Sequence, residues 1–290
     1  MGVPFRRSVV GTHYVMRRRR RQKGWEGRGG GCRVAAMDQP TIHQAAAALL
    51  AELGLRRPVL RAEGPARLVT RAPLAAGLTE AAARLAALPG LAEVAVRPGG
   101  HLALRLAPQA WAAAIRAARS YAPTGAIAPP SLRFTLGGKS CPVETVSPAL
   151  RRSAILAVTS RNQAPLSMES LTDPGYDNPV FVVYFALART QAWLDRPAFA
   201  EGHAEPDRLL ASPGREAFDL AARWPLALDG AGGDAAPLAR HLSALAAAAL
   251  PALRPGADDG TRDALAATVA DVLRTGLQAL GLPPSEDDVR

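Results

Sequence analysis

One helix start constrains the fold of this 290-residue chain more than any other feature of its sequence. Asn178 suits the N-cap position, where a side-chain oxygen accepts a hydrogen bond from the first turn. Pro179 suits the first helical position, where no N–H donor is needed. The following residues place apolar side chains in one stripe at helical spacing: Val180, Val183, Tyr184, Leu187 and Ala188. This pattern predicts a helix that buries one face.

Helical patterns continue beyond this segment, and no strand pattern is apparent from residue 177 onward. Pro225 marks the end of one predicted helix, and Gly281 marks the end of the last. The predicted helices cover about 205–211, 214–224, 237–253 and 261–280, after a weaker candidate at 149–158. Together they predict an all-α bundle of four or five helices within residues 151–290.

The front of the chain, residues 37–119, mixes helical and strand periods. Residues 91–97 and 101–106 alternate apolar and polar side chains on either side of a Pro-Gly-Gly turn, which predicts a β-hairpin. Residues 120–150 are rich in proline and glycine and are interpreted as a linker with at most one strand, at 132–136. The other predicted elements are helices at 42–55, 78–88 and 108–119 and a short strand at 58–60. The predicted fold class is an α+β N-terminal module followed by an all-α helical bundle.

The composition excludes several classes of protein. No apolar run reaches the ~18 residues of a membrane span, so neither a membrane protein nor a membrane partner is expected, and the location is expected to be cytoplasmic. The only cysteines, Cys32 and Cys141, cannot form a disulfide scaffold or a four-cysteine zinc site, and neither a metal nor a cofactor is expected. Lys139-Ser140 follows two glycines, but a phosphate loop would need glycine where Arg133 stands.

The net charge of +10 is unevenly distributed along the chain. Residues 1–36 carry ten basic side chains and one acidic side chain. Residues 37–176 carry fifteen basic and eight acidic side chains, and residues 177–290 carry ten basic and sixteen acidic side chains. Electrostatic attraction to nucleic acid is therefore expected mainly in the N-terminal part, including Arg56, Arg57 and Arg61 beside the first helix.

The first 36 residues contain an arginine run at 17–21 and no apolar periodicity, which predicts disorder. They also lack the apolar core of a secretory signal. Two interpretations stay open. The segment is a basic arm that binds nucleic acid, or it is not native sequence and the protein starts at Met37.

Residues 178–189, N-P-V-F-V-V-Y-F-A-L-A-R, resemble the helix that opens the DALR-type anticodon-binding domain of arginyl-tRNA synthetases, which reads N-P-V-[FY]-Y-V-Q-Y-A-H-A-R. Residues 155–166 resemble the segment that leads into that helix, and residues 262–282 resemble the closing helix of the family. Residues 88–106 resemble the end of the family's N-terminal additional domain. The resemblance implies a bundle like the anticodon-binding domain of class I synthetases.

The catalytic signatures of that family are missing from this chain. A histidine pair and a lysine loop stabilise charge on the ATP phosphates in such enzymes. Lys139 stands where the lysine loop would fall, without the loop sequence, and only about 30 residues separate the two family-like parts. No such pair is formed by any of the five histidines: His13, His43, His101, His203 and His241. A family-based label would be arginine–tRNA ligase, but the sequence predicts that the catalytic domain is lost and that the chain does not aminoacylate.

Several positions with which the family contacts tRNA are also changed. The family's Gln, Tyr and His in the first helix correspond to Tyr184, Phe185 and Leu187, and the Asn of the front motif corresponds to Ala103. Residues 248–253 lack the aromatic and histidine side chains of the family's penultimate helix. Tyr184 and Phe185 are interpreted either as a base-stacking pair or as the core side of a helix. The other candidate tRNA contacts are arginines: Arg56, Arg57, Arg61, Arg105, Arg189, Arg262 and Arg274.

Two functions therefore stay open. The first is a binding module that holds tRNA weakly without aminoacylating it, because both tRNA-grasping parts are kept and the catalyst between them is lost. The second is a protein-interaction or regulatory module that kept the fold and lost RNA binding. The acidic bundle and the missing aromatic residues support this second interpretation, which is the alternative to the tRNA-binding module.

Overall fold

A computed structural model describes ten segments of the chain: residues 40–54, 60–74, 77–121, 133–136, 139–142, 156, 178–196, 205–231, 234–254 and 261–284. The predicted disorder of residues 1–36 lies outside these segments, and so do Arg56 and Arg57. Of the weak helix candidate at 149–158, only Leu156 is described, and it is helical and buried.

The described front of the chain contains the three helices that the sequence predicts and a four-stranded sheet, which has one strand more than the three predicted. The helices are α1 (Ile42–Glu52), α2 (Leu78–Ala86) and α3 (Pro108–Ser120). The strands are β1 (Leu60–Gly64), β2 (Arg67–Thr70), β3 (Leu91–Arg97) and β4 (His101–Leu106). All neighbouring strands are antiparallel, in the order β1-β2-β4-β3. The predicted hairpin of β3 and β4 is confirmed.

The hairpin of β1 and β2 is more extensive than the single short strand that the sequence suggests at 58–60. Ala66 makes the turn between them with a left-handed backbone, φ 56°. Two backbone hydrogen bonds hold this residue: its N–H donates to Asp219 at 3.1 Å, and its carbonyl accepts from Leu106 at 2.9 Å. A left-handed alanine costs about 1–2 kcal/mol, so these contacts offset a local strain.

The expectation of at most one strand in residues 120–150 is wrong. β5 (Arg133–Leu136) pairs antiparallel with β6 (Lys139–Pro142). Lys139 is the first residue of β6 and lies opposite Leu136, in a hairpin. Pro142 is the last residue of β6, a position at which proline is tolerated although it has no N–H donor.

The described part of residues 178–284 contains six helices, one more than the upper end of the expectation. Pro225 does not simply end a helix, because it lies in the first turn of a further helix that the sequence analysis missed. The six are α4 (Pro179–Leu194), α5 (Pro206–Ala211), α6 (Arg215–Ala222), α7 (Trp224–Ala231), α8 (Ala235–Ala252) and α9 (Thr261–Ala279). No strand occurs in the described residues of this region, so the chain is α+β at the front and helical after it.

The predicted ends of α4 and α9 are confirmed. The Asn178 side chain accepts a hydrogen bond from Val180 N at 3.0 Å, and Pro179 occupies the first turn. At the other end, Gly281 has φ 70°, and Leu282 N donates to Leu277 O at 2.8 Å, which closes α9.

Two apolar cores organise these elements. One core lies between the sheet and the helices α1 and α2, with Leu50, Leu68 and Leu104 among its fully enclosed residues. The other core is that of the bundle, and it includes Trp111 and Ile115 of α3. Because α3 follows β4 directly and packs into the bundle, it links the front of the chain to the helices behind it.

Gly276 allows α8 and α9 to pack closely. A Cβ atom at this position would lie 2.9 Å from Cδ1 and 3.1 Å from Cγ of Leu242, which is completely buried. We expect Gly276→Val to lower the free energy of unfolding by about 1–3 kcal/mol through overpacking, measured by urea denaturation. Gln278→Val, at an exposed position of the same helix, is the control and is expected to cost less than about 0.7 kcal/mol. Equal losses for the two variants would contradict the close packing.

No helix in the described segments is long and apolar enough to cross a membrane. In the same segments, no group of three or more His, Cys, Asp or Glu side chains is arranged to hold a metal ion.

Candidate nucleic-acid interface

Tyr184 and Phe185, interpreted from the sequence either as a base-stacking pair or as the core side of a helix, both lie partly buried against the bundle core and point in different directions. Adjacent residues on a helix point about 100° apart, because 3.6 residues complete a turn. Phe185 stacks instead on Phe181, one turn earlier, with ring centroids 5.3 Å apart and an interplanar angle of 10°. Tyr184 packs against the bundle core and its hydroxyl is buried. Phe185 is thus the aromatic residue of the motif that faces a pocket.

A pocket of about 320 Å³ lies between α4 and the end of α8. Its walls are mostly apolar, and among the described residues that line it Phe185 is the only aromatic one. Two arginines also line it, Arg189 from α4 and Arg254 from just beyond α8. The remaining lining residues are Val182, Ala247, Leu250 and Pro251. An apolar pocket with a few placed polar groups is typical of a binding site for a small, partly polar group.

The part of α8 that lines this pocket carries alanine, leucine and proline side chains. The resembled family has aromatic and histidine side chains in its penultimate helix, where this chain has alanine, leucine and proline at 248–253. Pro251 lies inside α8 and cannot donate to the carbonyl of Ala247 one turn earlier.

Arg189 is held in place at the C-terminal end of α8. Its Nε donates to the carbonyl of Leu253, the C-cap residue, at 3.4 Å. A guanidinium at this end of a helix is favoured by the helix dipole, and it keeps further N–H donors for a ligand. Arg254 is exposed and lies one residue after that cap. Both arginines can therefore meet a phosphate at the pocket.

The other predicted arginines of the bundle lie elsewhere. Arg274 donates to Gln191 Oε1 at 2.9 Å and lies 3.6 Å from Asp271 Oδ1, so its charge is engaged within the bundle. Arg262 lies with its Cζ 5.9 Å from the ring centroid of Trp193. The sequence analysis did not identify Arg254, because this residue lies outside the resembled motif. It directly follows the C-cap of α8, the helix that supplies Leu250 and Pro251 to the pocket.

A second basic surface is formed by exposed arginines of the sheet. Arg67 of β2 lies directly opposite Arg105 of β4, and Arg61 of β1 is exposed nearby. Arg105 pairs with Glu93 at 2.9 Å, whereas within the described segments no carboxylate lies within 4.0 Å of Arg61 or Arg67. Two like charges placed opposite each other are unfavourable alone and are suited to an anionic partner.

A buried carboxylate joins the front of the chain to the bundle. Asp219 of α6 accepts hydrogen bonds from Ala66 N at 3.1 Å and from Trp111 Nε1 at 3.3 Å, and it pairs with Arg223 at 2.9 Å. Burial raises the pKa of Asp219, and Arg223 and the two hydrogen bonds oppose that shift. This contact fixes the sheet, α3 and the bundle relative to one another.

Two histidines are buried close to the same arginine. Burial, with a smaller contribution from Arg223, lowers the pKa of His43 to about 3 and that of His241 to about 4. In the described part of the chain, neither ring nitrogen of His43 has a hydrogen-bond partner. Both side chains are therefore neutral at pH 7, and nothing in their placement suggests a catalytic pair.

No family model matches this chain, and searches of curated proteins and of solved structures return no match either. The resemblance to arginyl-tRNA synthetases therefore rests on the residues quoted above.

Proposed function

We propose that this chain is a stand-alone relative of arginyl-tRNA synthetases that binds tRNA through its helical bundle without aminoacylating it. The observation that carries the proposal is the pocket between α4 and α8. Its aromatic residue, Phe185, and one of its arginines, Arg189, both belong to the motif that resembles the family's anticodon-binding helix.

The chemistry of the pocket supports an unstacked base of an RNA loop as its occupant. Bases in single-stranded loops are recognised by stacking on aromatic side chains and by hydrogen bonds at their edges. Phe185 offers a ring at the pocket wall, while Arg189 and Arg254 offer N–H donors and positive charge. Although residues 177–290 carry a net negative charge, the charged residues that line the pocket within the described segments are Arg189 and Arg254, so the local charge there is positive.

The sheet supports a second contact with the same RNA. Arg61, Arg67 and Arg105 are exposed on strands of the module that resembles the family's additional domain. The buried contacts of Asp219 hold this module against the bundle. Both surfaces thus belong to one unit that can hold a folded RNA at two places.

The pocket is tested by measuring the affinity of the full chain for tRNA against salt concentration. We expect Phe185→Ala to weaken binding by about 1–3 kcal/mol, the usual contribution of one base stacked on an aromatic ring. Arg254→Glu is expected to weaken binding and to lower the salt slope by at least about 0.7–0.9, which corresponds to one lost phosphate contact. Phe185→Leu separates stacking from packing, because it keeps an apolar side chain and should lose affinity as the alanine variant does.

Arg208→Glu is the matched control, since Arg208 is exposed on α5 and carries the same change of charge. It is expected to leave affinity nearly unchanged. The proposal fails if the Phe185 and Arg254 variants bind tRNA as the wild type does. In that case, the protein-interaction module becomes the better explanation of the retained fold.

A further inference from the structure

α4 carries a further aromatic residue, Trp193, beyond the segment that resembles the family's motif. Trp193 follows Arg189 by one turn and Phe185 by about two turns, which places it about 12 Å farther along the helix axis. It is only partly buried, whereas Trp111 and Trp224 are completely buried. Of the three tryptophans in the described segments, two are therefore enclosed in the bundle core, and Trp193 packs against that core while remaining partly exposed.

Trp193 carries a guanidinium directly on its ring. The Cζ atom of Arg196 lies 3.2 Å from the centroid of the indole, a close cation–π contact. Arg196 Nε donates to the carbonyl of Trp193 at 3.1 Å, and Nη2 lies 3.4 Å from Asp263 Oδ1. Trp193 Nε1 donates to the same carboxylate at 2.7 Å. The ring and the guanidinium are therefore both fixed before any ligand arrives.

The Arg196 side chain is nevertheless 40% exposed. A guanidinium plane, like an aromatic ring, is a surface on which RNA bases stack. Its cationic charge is also suited to a neighbouring phosphate. Arg262 of α9, with its Cζ 5.9 Å from the same ring, adds positive charge at this place.

These residues extend from the pocket toward the C-terminal end of α4. Phe185, Arg189 and Trp193 follow one another at intervals of four residues, which keeps them on neighbouring turns of α4, and Arg196 lies two residues beyond the end of that helix. Aromatic rings that alternate with arginines are the usual arrangement for binding single-stranded nucleic acid. Stacked nucleotides are about 3.4 Å apart, so rings about 12 Å apart would serve different nucleotides of one strand.

We infer that Trp193 and Arg196 form a second base-stacking position, occupied by another nucleotide of the single-stranded RNA whose base enters the pocket at Phe185. This inference rests on the proposed function, because the same strand must reach both positions. A merely structural role, in which Trp193 joins the end of α4 to the start of α9, would leave RNA binding unchanged when Arg196 is altered.

The test uses the full chain and two probes, a dinucleotide and an octanucleotide of single-stranded RNA. We expect Arg196→Glu to weaken octanucleotide binding roughly fivefold to tenfold and to leave dinucleotide binding unchanged, because only the longer strand spans both positions. Arg208→Glu is the control for the change of charge. Arg196 is exposed, so its variants should fold, and an unchanged thermal midpoint confirms this.

A second readout follows Trp193 itself. In a Trp25→Phe background, the octanucleotide should quench tryptophan fluorescence, and Trp193→Phe should abolish the quenching, since the other two tryptophans are buried. The inference is overturned if Arg196→Glu binds the octanucleotide like the wild type, or if quenching persists without Trp193. Failure of the proposed function is distinct, because Phe185→Ala would then leave both probes and tRNA unaffected.

Discussion

Acidification from about pH 7.5 to pH 5 is expected to lower the free energy of unfolding by about 4 kcal/mol through two histidines alone. In the folded chain the pKa of His43 is about 3 and that of His241 about 4, against 6.5 when exposed. The unfolded chain therefore binds protons more strongly below pH 6.5. Stability is full above that pH and falls as the pH drops toward the folded pKa values, with each histidine contributing about 2 kcal/mol at pH 5.

Urea denaturation at a series of pH values measures this effect. His43→Leu should remove about half of the histidine contribution, and His43→Leu with His241→Leu should remove most of it. At neutral pH, His43→Leu should be no less stable than the wild type, because a buried ring without hydrogen bonds is replaced by an apolar side chain. Asp219, whose pKa burial raises, has the opposite sign: protonation at low pH favours the folded chain. An unchanged pH profile in the double variant would contradict the prediction.

The helices were predictable from the sequence because their signals are local. Asn178, Pro179 and Gly281 act within one turn of the helix ends that they define, and the observed ends agree with them. β2 was missed because Leu68, Val69 and Thr70 are all buried, so the strand shows no alternation of polar and apolar residues. α7 was missed because Pro225 breaks a helix interior but is tolerated in a first turn.

The candidate site was predictable only in part. The motif drew attention to Phe185 and Arg189, and both line the pocket. It could not show that Tyr184 turns into the core, or that Arg254 approaches from a helix end 65 residues later. The sequence places Trp193 in the last turn of α4 and Arg196 just beyond the end of that helix. The two side chains are held in their arrangement by hydrogen bonds to Asp263 of α9, which is 70 residues from Trp193 in the sequence and is brought near it only by folding.

The burial of Asp219 had no sequence signal, because its partner Ala66 is 153 residues away. Replacing this residue should have a large effect. We expect Asp219→Ala to lower the free energy of unfolding by about 3–5 kcal/mol, measured by urea denaturation. The variant leaves the Trp111 indole N–H and the Ala66 N–H without their acceptor inside the protein, and it removes the carboxylate that pairs with Arg223, whose Nε keeps the backbone carbonyl of residue 219 as its acceptor.

Asp229→Ala is the matched control for this prediction. Asp229 also joins the front of the chain to the bundle, through Gln44 Nε2 at 2.6 Å and Tyr121 Oη at 2.8 Å, but it is exposed. Water can replace its hydrogen bonds, so its loss should cost no more than about 1 kcal/mol. In Asp219→Ala, backbone amides of β2 and α6 should also exchange faster than in the control, because the left-handed turn at Ala66 loses its support. Similar stabilities for the two variants would mean that the sheet and the bundle are held together by their apolar contacts and not by this buried carboxylate.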